Sequence, residues 1–138
     1  MANKLIRVIG GAIKKYRDMG DNTHAEVVAL GAVADSSSDV HAPAANTAAV
    51  VTYTGAAGSS HVIAGIAWSY DGAPTGGNLL VEDDSDTVLS LDVTAAGPGF
   101  IPFSVPKRAT AGNDLVVTLA AGGAGVTGKV SVLAHWTE

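Results

Sequence analysis

Residues His61 to Val93 constrain the fold more than any other stretch of the chain. His61 to Tyr70 alternates with period two. Val62, Ala64, Ile66, Trp68 and Tyr70 fall on one face, and Ile63, Gly65, Ala67 and Ser69 fall on the other. That pattern is a strand whose large-residue face covers a core. Asp71 to Gly77 breaks it with turn residues. Asn78 to Glu82 reads as the return strand and Asp83-Asp84-Ser85-Asp86 as a tight polar turn. Thr87 to Val93 alternates again, with Leu89, Leu91 and Val93 expected inward. Two hairpins end to end leave one face that the rest of the chain must cover.

The flanking segments supply the cover. His24 to Val33 is apolar on both faces, as expected of a strand buried on two sides or covered by a sister subunit. Asp35 to Asn46 reads as a polar loop. Thr47 to Thr54 is the next strand, with Ala49, Val51 and Tyr53 on one face. Beyond Val93, Phe100 to Val105 places Ile101, Phe103 and Val105 together, and Pro102 confines this strand to an edge or a bulge. Pro106 to Asn113 reads as a basic loop holding Lys107 and Arg108. Asp114 to Ala120 turns Leu115, Val117 and Leu119 inward. Val126 to Trp136 does the same with Val130, Val132, Ala134 and Trp136. Eight short strands joined by turns, with no helix signal, predict an all-β fold. The expected form is an eight-stranded two-sheet sandwich, jelly-roll-like, over residues 24–138. A closed barrel and an immunoglobulin-like sandwich share much of this pattern.

Residues 1–23 are set apart by charge. The first twenty residues hold five basic groups against one acidic, a net of +4, whereas residues 21–138 hold three basic and twelve acidic, a net of −9. Gly10-Gly11 interrupts any helix there. A basic arm preceding an acidic body is the expectation. Its chemistry suits an acidic protein surface at least as well as a phosphate backbone, which the acidic body repels, so nucleic acid is not an expected partner. No apolar run approaches the roughly 20 residues of a membrane-crossing helix, and the N-terminus lacks the longer apolar run of a signal peptide.

Candidate chemistry is sparse. With no Cys, disulfides and thiolate metal sites are excluded. His24, His41, His61 and His135 are scattered, and His24 with Glu26 would need a third ligand from elsewhere to hold zinc. Asp83, Asp84 and Asp86 crowd one turn without the spacing of a calcium loop. Ser60 and His61, as strand neighbours, point to opposite faces and do not pair as nucleophile and base. Gly122 to Gly125 lacks the Lys-Ser/Thr of a phosphate loop. The expectation is a protein that is not an enzyme and uses no cofactor.

Two stretches carry a resemblance. Tyr16-Arg17-Asp18-Met19-Gly20-Asp21-Asn22-Thr23-His24-Ala25-Glu26-Val27-Val28 resembles an opening segment of tailed-bacteriophage virion proteins. Gly65-Ile66-Ala67-Trp68-Ser69-Tyr70, Ala73-Pro74-Thr75-Gly76-Gly77, Val81-Glu82-Asp83 and Ala95-Ala96-Gly97-Pro98-Gly99-Phe100-Ile101 are similar to small phage proteins encoded among head genes. The resemblance implies a capsid cement, or decoration, protein on the outer shell of a virion. Such a protein braces neighbouring major capsid subunits and associates with copies of itself as a dimer or trimer. A tail-fibre or receptor-binding module shares the β-rich, Gly-rich composition and is the alternative. On the cement reading, Leu5, Ile6, Arg7, Lys14, Lys15, Arg17, Val27, Val28, Leu30, Lys107 and Arg108 are the expected contacts with the capsid or a sister subunit.

Overall fold

In the computed structural model, residues 3–7, 13–18, 24–26 and 36–137 are described, and among them every regular element is a β-strand. The chain divides into two compact units, Met1–Ala32 and Val33–Glu138. In the first, β1 (Asn3–Arg7), β2 (Ile13–Asp18) and β3 (His24–Glu26) form an antiparallel sheet in that order. His24–Glu26, expected to open the sandwich, pairs instead with β2, with Tyr16 opposite Glu26 and Asp18 opposite His24. The rest of the apolar stretch, residues 27–33, lies outside the described residues.

The second unit holds eight strands. They are β4 (Ser36–His41), β5 (Ala49–Tyr53), β6 (Ser60–Tyr70), β7 (Asn78–Asp83), β8 (Asp86–Asp92), β9 (Gly97–Arg108), β10 (Leu115–Leu119) and β11 (Gly128–Thr137). One sheet runs β5-β10-β7-β8 and the other β4-β11-β6-β9. All ladders are antiparallel. The first strand pairs with the last, the second with the seventh, the third with the sixth and the fourth with the fifth. That is one long hairpin rolled up so that β6 meets β11 and β7 meets β10, the winding of a jelly roll.

The core lies between the two sheets. Ala49, Val51, Tyr53, Leu79, Val81, Leu115, Val117 and Leu119 from one sheet face Ile63, Ile66, Tyr70, Val130, Val132 and Ala134 from the other. Trp68, Leu89, Ile101, Phe103 and Val126 pack against this layer half-buried. Full burial of each Leu, Ile or Val contributes about 1.5–3 kcal/mol. The Tyr70 hydroxyl donates to the Ala120 carbonyl, and burial raises its pKa.

The structure departs from simple alternation in four places. First, Ala64 has no partner on either neighbour, because the register of β6 shifts between Ile63 and Gly65 against β9 and between Leu133 and Ala134 against β11. This bulge turns Ile63 into the core and leaves Ala64 exposed, the reverse of the expected phase. Second, the sandwich's first strand is β4, read from sequence as a polar loop. Its ladder with β11 makes it a strand despite its serines, and a polar edge discourages pairing with other chains. Third, Leu91 and Val105 are exposed and Trp136 is 42% exposed, although the alternation sets all three inward. Fourth, Lys107 and Arg108 are not in a loop but end β9, opposite Ile63 and Val62. β9 is an edge strand, and its register against β6 is disturbed next to Pro102, as the proline requires.

Candidate interaction surfaces

The expected contact residues fall in separate places. Leu5, Ile6 and Arg7 lie on β1 and Lys14, Lys15 and Arg17 on β2. Their register sets Leu5 opposite Lys15, Ile6 opposite Lys14 and Asn3 opposite Arg17. The expected arm therefore contains a paired hairpin that brings six of the named residues onto two adjacent strands. Val27, Val28 and Leu30 lie outside the described residues. Lys107 and Arg108 belong to the second unit and are exposed at the end of β9.

Carboxylates gather at the turn between β7 and β8. Asp84 takes a φ of 57°, a left-handed conformation that Asp tolerates, and its amide donates to the Asp114 carbonyl at 2.7 Å. Asp83 accepts from the Thr110 amide at 2.8 Å and from the Thr110 hydroxyl at 2.7 Å. Burial pushes the Asp83 carboxyl up, but hydrogen bonds from Thr110 and Asn113 outweigh it and hold the pKa below its ordinary value. Asp71 is also held low, chiefly by the Thr127 amide that donates to it at 2.7 Å. These carboxylates serve to pin loops. Among the described residues no three His, Asp or Glu side chains converge to hold a metal.

His61 is only 2% exposed. Its Nε2 donates to the Thr54 carbonyl at 3.0 Å, and its ring packs on Trp136 with centroids 3.8 Å apart. The imidazole therefore faces a backbone carbonyl and an indole. Ser60, next to it, is buried with no partner for its hydroxyl.

A surface that sequence reasoning missed is the outer face of the β4-β11-β6-β9 sheet. The ladders align Val40, Ser131, Ala67 and Phe100 in one row across it, and Ser38, Leu133, Gly65 and Pro102 in the next. Val40 is 66% exposed, Phe100 57% and Leu133 42%. Phe100 leans over Gly65, where an added Cβ would meet its ring at 3.2 Å. Beside this ridge runs a groove of about 250 Å³ lined by Val40, Ala67, Ser69, Pro98, Lys129 and Ser131. On the inner side, the indole of Trp68 lies where a Cβ on Gly99 would stand. The signal for the outer face was in the sequence, since Phe100 is out of phase with Ile101 and Phe103, and Leu133 with Val132 and Ala134.

Compared with known families and with curated proteins, the chain matches none. Among solved structures it is similar to dimeric latent PorU from Porphyromonas gingivalis, at 12% identity and a TM-score of 0.35. The likeness covers 73% of this chain and 13% of that one. At that level it carries no argument about function.

Proposed function

We propose that this protein is a bacteriophage capsid cement protein that sits on the outer surface of the virion shell and braces neighbouring major capsid subunits. It acts by binding, without catalysis or cofactor, and its partners are the major capsid protein and other copies of itself. The observation that carries the reading is the resemblance to phage head-gene products, whose motifs fall on β6 (Gly65 to Tyr70), β7 (Val81 to Asp83) and the start of β9 (Gly97 to Ile101). Ala73 to Gly77 lies between β6 and β7, and Tyr16 to Asp18 and His24 to Glu26 lie in the first unit. A brace gains affinity by multivalency, because every copy touches a repeating lattice at several points. The basic β1–β2 hairpin, carrying Lys4, Arg7, Lys14, Lys15 and Arg17, supplies charge for docking onto an acidic shell. Charge of this kind mainly speeds and orients the encounter.

Cosedimentation of the full chain with phage shells stripped of their outer-surface proteins tests the reading. The wild type should saturate the shells. A Lys14→Glu, Lys15→Glu, Arg17→Glu variant should bind more weakly, most visibly at low salt, because exposed charges are screened beyond about 10 Å at 0.1 M ionic strength. A wild-type chain that leaves every shell unoccupied refutes the cement role.

A further inference from the structure

We infer that the outer face of the β4-β11-β6-β9 sheet is a two-fold interface on which a second copy of this chain docks, the Phe100 ridge of each copy entering the groove of the other. The virion reading names other copies of the chain as partners; the face on which they meet is new, and it rests on the sheet geometry rather than on that reading.

Charge selects both the face and the occupant. The unit from Val33 to Glu138 holds three basic and ten acidic residues, a net of −7. Two such bodies repel each other across most approaches. The outward positions of the other sheet include Glu82 and Asp92, in register with Thr87 and Asn78. The rows of this sheet's outer face hold Val40, Ser131, Ala67 and Phe100, then Ser38, Leu133, Gly65 and Pro102, then Lys129, Ser69 and Pro98. The row beyond Leu133 holds His135, Val62 and Arg108; no carboxylate stands in any of these rows, and their fixed charges are Lys129 and Arg108. Two acidic bodies can approach closely here without setting carboxylate against carboxylate.

Shape points the same way. The face is built mostly of small residues, which suits sheet-on-sheet packing at about 10 Å. Phe100 stands next to Ala67, which lines the groove of about 250 Å³. A ridge next to a groove is self-complementary under a two-fold rotation, as an isologous interface requires. Three of the large apolar side chains exposed among the described residues, Val40, Phe100 and Leu133, stand together on this face, the kind of group that serves as an interaction site. Four strands spaced about 4.8 Å apart give a patch roughly 20 Å across, or about 400 Å², which is small against the roughly 800 Å² per partner of a standard interface. The pair should therefore be weak in dilute solution and form as concentration rises.

Sedimentation equilibrium of the full chain across a concentration series tests this. The mass should climb from 13.7 kDa toward twice that value. Phe100→Asp should hold it at the monomer mass over the same range by placing a carboxylate on the ridge. Val40→Lys, which fills the groove with a second cation, should raise the dissociation constant at least tenfold. Both sites are exposed, so unchanged circular dichroism and urea midpoints show that the variants fold. A wild-type chain that stays monomeric throughout overturns the proposal. So does a dimer or higher oligomer that both variants form as readily as the wild type. Neither result bears on shell binding, whose own failure leaves this interface standing.

Discussion

Exchanging side chains at Ile63 and Ala64 distinguishes the folded register from the alternation written in the sequence. Plain alternation puts Ala64 in the core and Ile63 outside, whereas the bulge places Ile63 at 0% exposure and leaves Ala64 in solvent. Ile63→Ala removes three buried carbons. At about 0.8 kcal/mol each the transfer loss is about 2.4 kcal/mol, and the cavity left in a layer bounded by Ile66, Val132 and Ala134 raises the total to about 3–4 kcal/mol. With a urea m-value of about 2 kcal/mol/M, the unfolding midpoint should fall by about 1.5–2 M. Ala64→Lys should stay within about 0.5 kcal/mol of the wild type, as expected of an exposed site. Equilibrium urea unfolding followed by tryptophan fluorescence and by circular dichroism measures both. If Ile63→Ala shifts the midpoint by less than about 0.5 M, or Ala64→Lys unfolds the protein, the bulge is misplaced and the argument from it fails.

Other outcomes follow from the same packing. Gly99→Val should cost about 1–3 kcal/mol and shift tryptophan emission, because the new side chain displaces the Trp68 indole; an unchanged emission maximum and midpoint would show that the indole lies elsewhere. Because the folded-state pKa of Asp83 is depressed, its contribution to stability is complete above the ordinary carboxylate pKa of about 4 and is lost as pH falls through the lower, folded value. The urea midpoint of the wild type should therefore drop in acid more than that of Asp83→Asn, and equal acid sensitivity would remove Thr110 and Asn113 as its stabilising partners.

Much of the fold is legible in the residues. The alternation of Leu115, Val117 and Leu119, of Ala49, Val51 and Tyr53, and of Val130, Val132 and Ala134 matches the buried faces of β10, β5 and β11. Pro102 announces the edge position of β9, since a residue without an amide hydrogen cannot sit in a central ladder. The polar Ser36–His41 segment is not legible as a strand, because serine and aspartate lack strand propensity and only the β11 ladder holds them extended. The expected contact residues rest on charge and on apolar runs in single segments. Charge says that the N-terminal residues differ from the body; it does not say that Lys14 to Arg17 pair with Asn3 to Ile6.

Local chemistry therefore determined that this chain is all-β, where most of its turns fall, which side of most strands is buried, and that its basic residues lead an acidic body. Those properties belong to single segments and are set by side-chain period, proline and glycine placement, and charge. The tertiary structure alone decided the rolled hairpin order, the bulge that inverts β6 at Ala64, and the meeting of Val40, Ala67, Phe100 and Leu133 on one carboxylate-free face. These residues come from four strands separated by dozens of positions in sequence. Their adjacency exists only once β4, β11, β6 and β9 are hydrogen-bonded side by side, because a sheet face is assembled across strands and no single strand contains it.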